Sequence, residues 1–367
     1  MICYEDFCAK AVLEPSKELY NSALESGELT TKKYVSRDFL LSINEKYKLF
    51  STCIADVLKA AEFISSDEFS LIYMNLLRIT LFNQHEKFII PVVFDKNNIT
   101  HCYAPLFSLL SFVDDFDQKM QQRGIPLENR LAVHGKYENF LILQKQKYGY
   151  YAIVPTKYNW LRYYFTSNIF PIGNLEFELM PFPSADYVFE AKDGNVCPLR
   201  EITEYDQYYE GKRILRGGSS FENAKLSKAE YNLVVKPGDY VLNIHIPHGA
   251  KVGVDFYKQD FEKAETFFNK YYPEMEIKVF ACCSWLMDPE LFTILKPESN
   301  ILSFQSLFNC YPTESEGKEV FSFVFKEEPT DYSLLPEDTS LMRALKKRYQ
   351  NNEPIYAYRG ICKKCIK

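Results

Sequence analysis

GDYVLNIHIPHG (238–249), EIKVFACCSWLMDPELFTIL (276–295) and SNILSFQSLF (299–308) decide the fold by their order along the chain. In Asp239–Ile246 the apolar residues Tyr240, Leu242, Ile244 and Ile246 alternate with Val241, Asn243 and His245. A period of two is that of a strand, here with an apolar side and a side carrying Asn and His. Pro247 has no N–H to donate and ends the ladder. Gln259–Tyr271 then places Phe261, Ala264, Phe267, Phe268 and Tyr271 at helical spacing. Ile277–Met287 reads as the next strand, with Ala281, Cys283 and Trp285 on one face and Cys282 and Ser284 on the other. Asp288-Pro289 is a helix start, with Asp as cap and Pro in the first turn. Ser299 or Asn300 opens a second helix, and Val320–Phe325 is expected to close the sheet. Strand, helix and strand in this succession predict a mixed α/β sheet.

Upstream, Leu175, Phe177 and Leu179 alternate with Glu176 and Glu178, which makes a half-buried strand. Extended segments are expected near Tyr187–Glu190 and Asn195–Pro198, with turns at Gly211–Gly218 and Pro237-Gly238. Before Phe170 the period changes to helical, with runs beginning near Lys17, Ser36, Cys53, Ser66, Ala104, Leu127 and Pro155. Ser66 and Asp67 are cap candidates, Gly124-Ile-Pro separates two helices, and Phe88–Phe94 reads as extended. The expected organisation is α+β: a mostly helical N-terminal domain over 1–168, a mixed sheet flanked by helices over 169–328, and a tail over 329–367. The tail carries a basic helix at Leu341–Tyr349 and the pair Cys362-x-x-Cys365.

The chain has 367 residues, 47% apolar and 25% charged, with a net charge of −6. That length suits two domains, and the acidic balance argues against general nucleic-acid affinity. Its 29 Phe and 27 Tyr are read first as thick aromatic cores. The N-terminus lacks the pattern of a signal peptide, and no apolar run is long enough to span a bilayer, so a cytoplasmic protein without membrane contact is expected. Ten scattered cysteines then read as reduced thiols. One Cys-x-x-Cys without a second pair does not make a zinc ribbon, and no metal is expected.

GIP at 124–126, IGNLEFEL at 172–179, GDYVLNIHIPHG at 238–249, CSWLMDPEL at 283–291 and SNI at 299–301 occur in the order that resembles a two-domain acyltransferase family. Its members pair a helical N-terminal domain with a GNAT-like C-terminal domain. The resemblance implies transfer of an acyl group, acetyl first, from acyl-CoA to an amine or hydroxyl of an unknown acceptor. It implies a pantetheine arm lying where the strands Asp239–Ile246 and Ile277–Met287 part. On that basis Ile246, His248, Gly249, Gly253, Cys283 and Trp285 are expected to line the co-substrate, acetyl-CoA or another acyl-CoA. The loop between strand and helix would hold its pyrophosphate, as helix N-termini do. That loop reads HGAKVGVD and lacks the usual Arg/Gln-x-x-Gly-x-Gly/Ala word. A binding protein that keeps the fold without catalysis therefore stays open beside the enzyme. Glu176, Glu178 and His245 are the candidate bases for taking the acceptor's proton. Glu as a residue type favours a solvated face at 176 and 178, and Cys283 and Trp285 fit a core as well as a site.

Overall fold

The computed structural model describes residues 2–11, 15–25, 28–82, 94–166, 168–218, 220–247, 250, 254–325 and 327–363. The chain divides into two compact units, Met1–Phe170 and Pro171–Lys367.

The first unit is helical: α1 (Tyr4–Ala11), α2 (Lys17–Glu25), α3 (Glu28–Tyr34), α4 (Arg37–Tyr47), α5 (Ile54–Ser66), α6 (Glu68–Phe82), α7 (Ile99–Leu110), α8 (Val113–Gln122), α9 (Leu127–Tyr148), α10 (Pro155–Leu161) and α11 (Tyr163–Thr166). Its core is aromatic as expected, with Phe7, Tyr47, Phe50, Tyr73, Phe107, Tyr137 and Tyr158 fully buried. Asp67, rather than Ser66, caps α6 by accepting from the Ser70 N–H at 2.9 Å. The helix expected from Ala104 to Arg123 is two helices, parted at Ser111-Phe112. Gly124 takes φ +74° at the end of α8, and Pro126 precedes α9. The extended reading of Phe88–Phe94 falls almost wholly outside the described residues.

The second unit holds two sheets. The larger has the order β1 (Asn168–Ile172), β2 (Leu175–Pro181), β8 (Tyr240–His245), β9 (Ile277–Ser284), β11 (Tyr358–Lys363) and β10 (Asn309–Pro312). The smaller has the order β6 (Phe221–Ser227), β5 (Tyr208–Ile214), β4 (Val196–Glu204), β3 (Tyr187–Ala191) and β7 (Tyr231–Val235). β8 and β9 run parallel and are joined by α12 (Val254–Tyr271), the crossover that a parallel pair demands. On one face of the large sheet Phe177 and Phe280 meet Phe261 of α12 at 5.9 and 4.6 Å between ring centres. The other face packs Val241, Val279, Ala281, Tyr311 and Ile361 against Val188 and Val235 of the small sheet.

Two expectations are corrected here. Val320–Phe325 is no closing strand; Phe321–Phe325 forms a π-helical turn that buries Phe321 and Phe325. A short apolar run carries no period that separates these outcomes. Nor is 329–367 a tail. α14 (Ser340–Gln350) is capped by Thr339 and buries Leu345 and Tyr349 among Trp285, Leu291, Leu302 and Val320. β11 then enters the large sheet between β9 and β10. Gly360 makes this insertion possible, because a Cβ there would lie 2.8 Å from the Phe308 side chain. Cys362 belongs to β11, and Cys365 lies outside the described residues. Among the described residues no group of His, Cys, Asp and Glu could hold a metal ion, and no helix is long and apolar enough to cross a membrane.

Candidate active site

Strand register gathers the predicted residues. β2 and β8 pair Glu176 with His245 and Glu178 with Asn243, so all four side chains stand on the same face. β8 and β9 pair Asn243 with Ala281, and β9 and β11 pair Ala281 with Ile361 and Cys283 with Arg359. Arg359 in turn faces Tyr311 on β10. One lateral row of the sheet is therefore Glu178, Asn243, Ala281, Ile361 and Asn309. The next, two residues on along each strand, is Glu176, His245, Cys283, Arg359 and Tyr311.

The expectation that Glu176 and Glu178 are solvated is corrected: they are 3% and 7% exposed. Buried carboxylates require partners. Glu178 has one in His245, whose Nε2 lies 2.9 Å from its Oε2. The Asn243 amide reaches the same nitrogen at 3.2 Å. One imidazole nitrogen cannot both donate to a carboxylate and accept from an amide. Donation to the carboxylate puts the proton on Nε2 and the basic lone pair of neutral His245 on Nδ1, with the Asn243 amide nitrogen a close neighbour rather than a donor to the ring. This is the arrangement by which a carboxylate sets an imidazole's tautomer and orientation.

The parallel ladder of β8 and β9 stops at Asn243 and Ala281, although β8 continues to His245 and β9 to Ser284. Past that point β8 keeps its pairing with β2, and β9 keeps its pairing with β11. The end of this ladder lies beside His245, and beyond it the facing edges of β8 and β9 are no longer paired with each other. Ile246 follows immediately and is half-buried. His248, Gly249 and Gly253 lie outside the described residues.

Cys283 sits on the row at an exposed position. Cys282 points to the opposite face, where burial holds its thiol far above the ordinary range, and burial pushes Cys310 up to about 12. Neither is a thiolate at neutral pH. Trp285 is not on the row. The Ser284 hydroxyl accepts from the Leu286 N–H at 3.2 Å and ends the strand, and the following 3₁₀ turn carries Trp285 into the cluster around α14. Asp288, read from sequence as a cap, does more than cap. It accepts from the Glu290 N–H at 3.0 Å, from the Tyr356 N–H at 2.8 Å and from both terminal nitrogens of Arg216 at 2.6 and 3.0 Å. Sequence reasoning missed Arg216, Tyr311 and Arg359. The alternation in YRGIC (358–362) is the signal that was available for the last.

Residues 169–362 match the GNAT-like C-terminal domain family, which is more than half of the chain, and the protein belongs to that family. Among solved structures the whole chain is similar to an acyltransferase in complex with decanoyl-CoA and teicoplanin, with a TM-score of 0.70 and 16% identity, covering 99% of this chain and 100% of that one. An acyltransferase in complex with CoA and 10C-teicoplanin aligns equally well, with TM-score 0.70, 16% identity and the same coverage. A mutant acyltransferase in complex with octanoyl-CoA has a TM-score of 0.68 at 15% identity, again over 99% and 100% of the two chains. At such identities the likeness is one of fold. No curated protein matches the sequence.

Proposed function

We propose that this protein transfers an acyl group from acyl-CoA to an amine or hydroxyl acceptor, with His245 as general base and Glu178 as the carboxylate that orients it. The observation that carries this reading is the Glu178–His245 contact, 2.9 Å long and set beside the end of the β8–β9 ladder. The acceptor's nitrogen or oxygen attacks the thioester carbon. A C–N or C–O bond forms, the C–S bond breaks, and the acceptor's proton passes to Nδ1 of His245. The departing thiolate takes up a proton and leaves as CoA. A positioned base of this kind contributes on the order of 10²–10⁴ in rate. Glu176, the register partner of His245 on β2, adds negative charge that favours the imidazolium formed on the way. Ile246, Cys283 and the loop containing His248, Gly249 and Gly253 are assigned to the acyl-CoA arm. Trp285 is assigned only to the packing behind it.

The family resemblance favours acetyl as the donor group, whereas the similar structures hold decanoyl- and octanoyl-CoA. Calorimetric titration of the purified protein with acetyl-, octanoyl-, decanoyl- and free CoA separates these. Saturable micromolar binding of one acyl-CoA supports the transferase and names its chain length. Absence of binding by all four turns the assignment to a binding protein, the reading that the HGAKVGVD loop, without its usual glycine word, keeps open.

A further inference from the structure

We infer that Arg359 and Tyr311 form a subsite for a carboxylate carried by the acceptor, an inference that rests on the acyl-transfer reading above. Arg359 is 8% exposed. Its Nη2 donates to the Pro183 carbonyl at 3.0 Å, and its plane lies 5.3 Å from the centre of the Phe182 ring. Nε and Nη1 have no partner among the described residues. No carboxylate among them pairs with this guanidinium, whereas Arg200, Arg213, Arg216 and Arg348 each face one. A buried guanidinium without a counter-ion is costly, and an incoming anion removes that cost. Tyr311, its register neighbour on β10, is 2% exposed and its hydroxyl also lacks a partner among the described residues. Burial holds that phenol far above its ordinary pKa, so it remains a neutral donor. Cys283, the register neighbour of Arg359 on the other side, is exposed.

The chemistry selects a single negative charge. One Nη amino is already engaged, the second donor residue is neutral, and the Asp186 carboxylate is close enough for its charge to act on Tyr311. A phosphate dianion would bring two negative charges to one unpaired guanidinium, because the Arg200 charge is already taken up by Asp186. The row also sets a span. Arg359 stands two strands from His245 on the same face, roughly 10 Å at ordinary strand spacing and more where the strands part. An acceptor that reaches both carries its nucleophile and its carboxylate several bonds apart, as an ω-amino acid or short peptide does.

The test pairs acceptors that differ only in that charge: glycine, β-alanine and 5-aminopentanoate against their primary amides, with the acyl-CoA that binds. CoA release is followed by chromatography. The acids should exceed the amides in kcat/KM by about tenfold or more for at least one chain length. Tyr311→Phe should raise KM for that acid with kcat little changed, and should not lower the thermal midpoint, because the hydroxyl it removes makes no hydrogen bond to the described residues. Arg359→Gln should abolish the preference, and Arg359→Lys should restore part of it. Amides serving as well as acids, or a preference that survives both Arg359→Gln and Tyr311→Phe, would overturn the subsite. If no acyl-CoA binds and nothing turns over, the acyl-transfer reading fails separately. The subsite is then decided by thermal-midpoint titration with 5-aminopentanoate against its amide. An acid-specific rise lost in Tyr311→Phe supports it, and equal responses dismiss it.

Discussion

Two histidines withdrawn from solvent show what separates packing from chemistry in this protein. His134 in α9 is 0% exposed, touches Tyr47, Phe116 and Phe165 ring to ring, and has no hydrogen-bond partner on either nitrogen among the described residues. His245 in β8 is half-buried and lies between a carboxylate and an amide. The first is held as a neutral aromatic plate, because a charged imidazole would lose its hydration and gain no partner. The second is oriented, able to share a positive charge with Glu178, and placed at the end of a strand ladder. Burial alone thus marks a structural histidine, whereas burial with a fixed partner and an open edge marks a candidate base.

The comparison breaks most sharply at His245. His245→Ala should lower acyl-CoA-dependent turnover by about 10²–10⁴-fold while the thermal midpoint moves by no more than about 3 °C. Comparable loss of both would make His245 a packing residue like its counterpart. Glu178→Gln keeps the shape of the carboxylate and removes its charge, and should cost roughly 10²-fold in kcat, with Glu176→Gln costing less. The reverse order would hand the orienting role to Glu176.

His134 offers the complementary test. Desolvation lowers its pKa to about 4, below the roughly 6.5 of an unfolded chain. The unfolded state therefore binds the proton first, and stability is lost as pH falls from about 6.5 toward 4, by at most about 3 kcal/mol. His134→Leu should flatten urea midpoints across that window without changing turnover; an unaltered slope would show that other groups set the acid limb. The smallest expected effect is at Trp285. Trp285→Phe should cost about 1–2 kcal/mol of stability and leave acyl-CoA affinity within about twofold in calorimetry. A larger loss of affinity would return Trp285 to the binding site.

The chemistry on β2 and β8 is legible in the chain itself, because alternation over Leu175–Leu179 and Tyr240–His245 assigns Glu176, Glu178, Asn243 and His245 to polar faces. Local capping chemistry is equally readable. Asp288 and Ser299 cap the turns they were expected to cap, accepting from Glu290 and Ile301 N–H groups. Trp285 was misplaced because the strand was carried on to Met287, three residues past the Ser284 cap that turns the chain. Of the small sheet only β3 and β4 were expected as extended, because β5 and β6 are polar and largely exposed, as in FENAKLS (221–227), and give no clean period.

By itself the sequence determined which side chains share a face, since a period of two is a property of each strand and needs no neighbour. Strand order is not local. Tertiary structure alone decided that β2 lies against β8, that β8 and β9 cease to pair beyond Asn243 and Ala281, and that β11 arrives from the far end of the chain to set Arg359 between Cys283 and Tyr311. Those neighbours are chosen by which faces can be buried together, and that choice turns separate alternations into one row of side chains.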